Sequence, residues 1–60
     1  MPIITVQMLS GRTDAQKKAL IEKVSTAVSD TTNAPMENIH VIIQEMEKND
    51  YGVAGKRSID

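Results

Sequence analysis

The chain has 60 residues, 40% of them apolar, with seven basic and eight acidic side chains, one His, one Tyr and no Cys, Trp or Phe. A fold of this size buries only about 60% of the surface its unfolded chain exposes, so one domain over residues 1–60 is expected; with disulfides and thiolate metal sites excluded, partner copies are the expected source of further stability. A formal charge of −1 and a pI near 5.7 lack the concentrated positive charge that nucleic acid or an anionic membrane requires, and a single His leaves any metal dependent on carboxylates, so none is expected.

Residues 2–9, PIITVQML, are β-branched and apolar enough to predict a strand, with Ile4, Val6 and Met8 on one face and Ile3, Thr5 and Gln7 on the other. The opening Met1-Pro2-Ile3-Ile4 has neither the basic leader nor the long apolar run of a signal peptide. No stretch reaches membrane-spanning length, so a cytoplasmic location is expected. Ser10-Gly11-Arg12 breaks the strand, and Thr13 with Gln16 three residues on spells a capping box that starts a helix at about residue 14. Leu20, Val24, Ala27 and Val28, with Ile21 beside them, recur at helical spacing over about five turns. The helix should fade around Thr31-Thr32-Asn33, ahead of Ala34-Pro35. A short turn at residues 36–38 then leads into IHVIIQEM, residues 39–46, where Ile39, Val41 and Ile43 face one way and His40, Ile42, Gln44 and Met46 the other.

Glu47-Lys48-Asn49-Asp50 reads as a polar turn, Tyr51 to Gly55 as a short extended piece or hairpin, and Lys56 to Asp60 as a loose tail. Strand, long helix, strand implies an α/β fold, a small β-α-β unit with a parallel pair and a right-handed crossover. One helix covers one sheet face. The other face and both strand edges are left for partner chains, which predicts self-association beyond a dimer.

Most catalytic constellations are absent: there is no thiolate nucleophile, no nucleophile elbow and no glycine-rich phosphate loop. What remains is the amino terminus. Removal of Met1 would expose Pro2 as a secondary amine, and an α-amino group, with an ordinary pKa of about 7.7–8.0, becomes a better base near neutrality when apolar surroundings disfavour its charged form.

Pro2-Ile3, Leu9-x-Gly11-Arg12-x-Asp14-x-Gln16-Lys17, Leu20-Ile21, Val24-Ser25, Ala34-Pro35, Val41-Ile42-Ile43-x-Glu45-Met46 and Tyr51-Gly52 together resemble the 4-oxalocrotonate tautomerase family over nearly the whole chain. The resemblance implies short β-α-β subunits assembled as a homohexamer, a trimer of dimers, and proton transfer on a small enolisable carboxylate without a cofactor. It also implies that Pro2 is general base and acid, that Arg12 anchors a carboxylate, and that Tyr51 dries the pocket with Leu9 and Val53 as apolar walls. His40 departs from the pattern by standing where well-known members carry a second arginine, so recognition of a second charge is open at that position. Two other readings compete. One is a dehalogenase- or hydratase-like reaction of the same superfamily, for which no water-activating carboxylate is clearly placed; the other is a non-catalytic oligomeric module.

Overall fold

Two strands, β1 (Ile3–Leu9) and β2 (His40–Met46), run parallel in a computed structural model that describes residues 1–57 and 59. Their register pairs Ile3 with His40 and holds without a break to Leu9 with Met46. Backbone hydrogen bonds extend it at both ends, from His40 N–H to the Pro2 carbonyl at 3.0 Å and from Ser10 N–H to the Met46 carbonyl at 2.9 Å. The predicted strands are therefore present, each beginning one residue later than the sequence pattern suggested.

The connection is α1 (Asp14–Thr32). Its start follows from the capping box: Gln16 N–H donates to Thr13 Oγ1 at 3.1 Å, and Thr13 N–H donates to Gln16 Oε1 at 2.9 Å, so two orphan donors are satisfied reciprocally. At the other end the Thr31 and Thr32 hydroxyls donate back to the carbonyls of Ala27 and Val28 at 2.8 and 2.7 Å, which lets two poor helix formers close the last turn. Asn33 then stops the helix at φ 62°, its N–H bonded to the Ser29 carbonyl, a conformation that Asn tolerates better than most residues. Met36–Asn38 forms a single 3₁₀ turn into β2.

Alternation along both strands divides the sheet into two faces. Ile4, Val6, Met8, Val41 and Ile43 are half-buried on the helix side together with Leu20, Val24 and Val28 of α1, and Ser25, at 9% exposure, is the most deeply placed of the described residues. The helical stripe is narrower than its spacing suggested, since Ile21 and Ala27 are exposed. The opposite face presents Ile3, Thr5, Gln7, His40, Ile42 and Gln44 to solvent, with Gln7 Nε2 donating to Gln44 Oε1 at 3.1 Å. Among the described residues no apolar side chain is fully buried. A single copy thus leaves its hydrophobic burial incomplete, in line with the expectation drawn from chain length.

Beyond β2 a turn at Lys48–Asp50 leads to β3 (Gly52–Val53), antiparallel to β4 (Lys56–Arg57). Lys56 and Arg57 are therefore paired, which corrects the expectation of a loose tail; Ser58 and Asp60, also assigned to that tail, lie outside the described residues. Ala54 and Gly55 link the strands with φ of 56° and 82°, and positive φ at both central residues is what a two-residue turn needs to follow the right-handed twist of the strands. Among the described residues no helix is long and apolar enough to cross a membrane.

Candidate active site

The carboxyl ends of parallel strands are where open α/β sheets commonly form ligand crevices, and here that end carries most of the charge. β1 runs out into Ser10-Gly11-Arg12, with Gly11 at φ 125°, a region that a side chain would strain. The loop is fastened to the end of β2 by the Ser10 N–H to Met46 bond and by Ser10 Oγ, which donates to Glu47 Oε2 at 3.2 Å. Thr13 begins the capped helix directly behind it.

Arg12 stands between two clefts. One, of about 370 Å³, is lined by Met8, Leu9, Ser10, Gly11, Arg12 and Lys48; the other, of about 200 Å³, by Met8, Arg12, Gln16, Lys17 and Leu20. The larger lies within the range of small-molecule sites, about 300–1,000 Å³. In the smaller one, Lys17 Nζ sits 2.7 Å from Glu45 Oε1. The hydrogen bond to Glu45, and then the charge of that carboxylate, hold the Lys17 ammonium above its ordinary pKa. Neither the Arg12 guanidinium nor the Lys48 ammonium makes a hydrogen bond or ion pair with a described residue. Arg12 therefore offers its whole planar fork to an anion, above an apolar floor of Met8 and Leu9.

Of the residues singled out from sequence, the structure brings Leu9 and Arg12 into one cleft. Pro2 and His40 lie together at the opposite end of the sheet, joined by the His40 N–H to Pro2 carbonyl bond. Seven strand residues separate the two groups, about 20 Å at the usual rise per residue. No small acid spans that distance, so one chain does not place Pro2 and Arg12 around the same molecule. Tyr51 and Val53, 43% and 60% exposed, are carried out on the C-terminal arm and line neither cleft. Among the described residues there is no group of three His, Cys, Asp or Glu side chains able to hold a metal ion.

Lys48 was not among the candidates, because its neighbours read only as a polar turn. The signal that locates it is the strand register: an offset of 37 residues pairs Ile3 with His40 and Leu9 with Met46 and links the Ser10 and Glu47 side chains, and just beyond them Gly11 and Lys48 line the same cleft.

The profile of a family described as "Tautomerase enzyme" matches residues 2–60. A "probable tautomerase" of Bacillus cereus is 65% identical over 60 residues, covering 100% of this chain and 98% of the relative. The "2-hydroxymuconate tautomerase" of Bacillus subtilis strain 168 is 58% identical over the same length, with 100% and 97% covered. Among solved structures, the crystal structure of YwhB, a homologue of 4-oxalocrotonate tautomerase, superposes with a TM-score of 0.95 at 58% identity, covering 98% of this chain and 97% of that one.

Proposed function

The chain belongs to the tautomerase family and is an isomerase, and on that premise we propose that it catalyses enol–keto proton transfer on small 2-hydroxydienoate or 2-oxo acids, with Pro2 as base and acid once Met1 is removed. The observation that carries the reading is the setting of Pro2. Its carbonyl is fixed by His40 N–H at 3.0 Å, the family match opens at residue 2, and Met1 is 79% exposed, so removing it disturbs little of the fold. The freed secondary amine takes the proton from the enol oxygen and returns it to carbon as the double bonds shift to the conjugated ketone. Arg12 grips the substrate carboxylate, Leu9 supplies apolar wall beside it, and Val53 and Tyr51, which line neither cleft of their own chain, supply further wall from a neighbouring copy. His40, beside Pro2, offers one hydrogen bond and no permanent charge when neutral.

The distance between Pro2 and Arg12 supports a site shared between copies, in which one chain brings its Pro2 to the Arg12 cleft of another. The exposed outer sheet face, with Ile3 and Ile42 60% and 50% exposed, and the open strand edges support an assembly large enough to cover both. A homohexamer built from dimers, which the family resemblance implies, meets that requirement. No cofactor is needed for this chemistry.

The test is the rate of ketonisation of 2-hydroxymuconate and phenylenolpyruvate, followed in the ultraviolet, by protein whose intact mass shows Met1 removed and by protein that retains it. The retained form has an amide in place of the amine and should lose about 10²- to 10⁴-fold, the usual share of a positioned acid–base group. Equal rates in the two forms would dismiss Pro2 as the proton carrier.

A further inference from the structure

The larger cleft holds two cations, and the site as read so far uses one. Lys48 opens the 3₁₀ turn after β2 and lines the cleft with Arg12, Leu9 and Met8. Two carboxylates at the end of β2 are committed elsewhere: Glu47 accepts from Ser10 Oγ at 3.2 Å, and Glu45 holds Lys17 at 2.7 Å; Asp50, in the same turn as Lys48, makes no side-chain ion pair with it. The Lys48 ammonium has no partner among the described residues, and neither has Arg12. Two unpaired cations around an apolar floor match a molecule with a carboxylate at each end of a short carbon chain. His40 of the same chain lies at the other end of the strand pair and does not line this cleft.

We propose that Lys48 is the residue that selects dianionic substrates, receiving the second carboxylate of a 2-hydroxydienedioate whose first carboxylate is held by Arg12. The inference rests on the reading of the Arg12 cleft as the substrate site. Arg12 acts as a planar fork and fixes orientation, whereas Lys48 acts as a mobile point charge on a flexible stem. Its contribution is therefore to binding and encounter, and it falls with ionic strength. The positive charge that the family's second arginine would bring is then supplied, for this cleft, from the turn after β2.

The experiment compares processed wild type, Lys48→Gln, Lys48→Arg and Arg12→Ala with 2-hydroxymuconate, a dianion, and phenylenolpyruvate, a monoanion. Lys48 is exposed on a turn, so its replacement leaves the fold intact. Lys48→Gln should lower kcat/KM for the dianion about tenfold, mostly through KM, the loss expected for one charge-assisted hydrogen bond. The monoanion should change by less than about twofold, at the level of ordinary surface substitutions, and Lys48→Arg should retain the dianion preference. Equal losses with both substrates would mark Lys48 as merely structural, and no loss with either would remove it from the site; both results overturn the inference while Arg12→Ala still impairs both substrates. If Arg12→Ala also leaves both rates unchanged, the reading of the cleft itself falls, and the inference with it. Calorimetric titration with muconate, a non-reacting dianion, should show the same Lys48 dependence without turnover.

Discussion

At its amino end the strand pair offers Pro2 held by His40 amid exposed Ile3, Thr5 and Ile42, while at its carboxyl end Arg12, Lys17, Glu45, Glu47 and Lys48 crowd around a glycine turn and two clefts. In the proposed function the first end supplies the proton carrier and the second supplies the anchors. A strand of seven residues keeps them apart in one chain. Under that proposal, the separation means that a fold too small to enclose a site builds one by bringing unlike ends of two copies together. It would also join two needs, because contacts that completed such a site would be of the kind that cover an apolar surface the single chain leaves open.

Substitutions at the two ends should therefore differ in size and in kind. Arg12→Ala removes a charge-assisted contact and should raise KM for carboxylate substrates by about 10- to 100-fold with a smaller change in kcat, since the grip is made in ground and transition states alike; steady-state kinetics would show this, and an unchanged KM would take Arg12 out of the site. Gly11→Ala places a side chain at φ 125°, which should destabilise the protein by about 1–3 kcal/mol and displace Arg12. Thermal unfolding read beside KM should show both effects together. At the other end, His40→Gln keeps a hydrogen-bond donor and should change kcat/KM by less than about tenfold, with the pH profile losing any contribution from the imidazole. A fall as large as that of Arg12→Ala would mean that His40 carries charge in the reaction. Smallest is Ala54→Gly in the arm, where φ of 56° strains an L-residue by about 1–2 kcal/mol. The exchange should raise the unfolding temperature slightly and leave the kinetics of both ends alone.

Much of this arrangement was legible in the residues. The β-branched, apolar runs of β1 and β2 and the Thr13–Gln16 box pointed to the β-α-β order, because these signals are local and the backbone answers to them directly. Leu9 and Arg12 stood out from the motif that surrounds them and do share a cleft. The hairpin's second strand did not stand out: Ala54-Gly55 lacks the Asn-Gly signature of a tight turn, and a pair of two-residue strands has no period to read. Lys48 was hidden for a different reason. Its place in the cleft with Gly11 follows from the pairing of parallel strands 37 residues apart, a long-range quantity that local composition does not contain. The distance from Pro2 to Arg12 was calculable from strand rise alone, and it is the strongest argument for a site shared between copies.

Mixing impaired variants tests that sharing most directly. A chain that retains Met1, and so has an amide at Pro2, and Arg12→Ala with Met1 removed are assayed alone at substrate well below KM, then unfolded together in equal amounts and refolded as mixed assemblies. If one copy supplies Pro2 and another Arg12, about a quarter of the sites in a random mixture hold both intact residues, and activity should rise to about that fraction of wild type. Activity no greater than the mean of the two separate variants, in assemblies shown by native mass spectrometry to be mixed, would contradict the shared site and place base and anchor in the same chain.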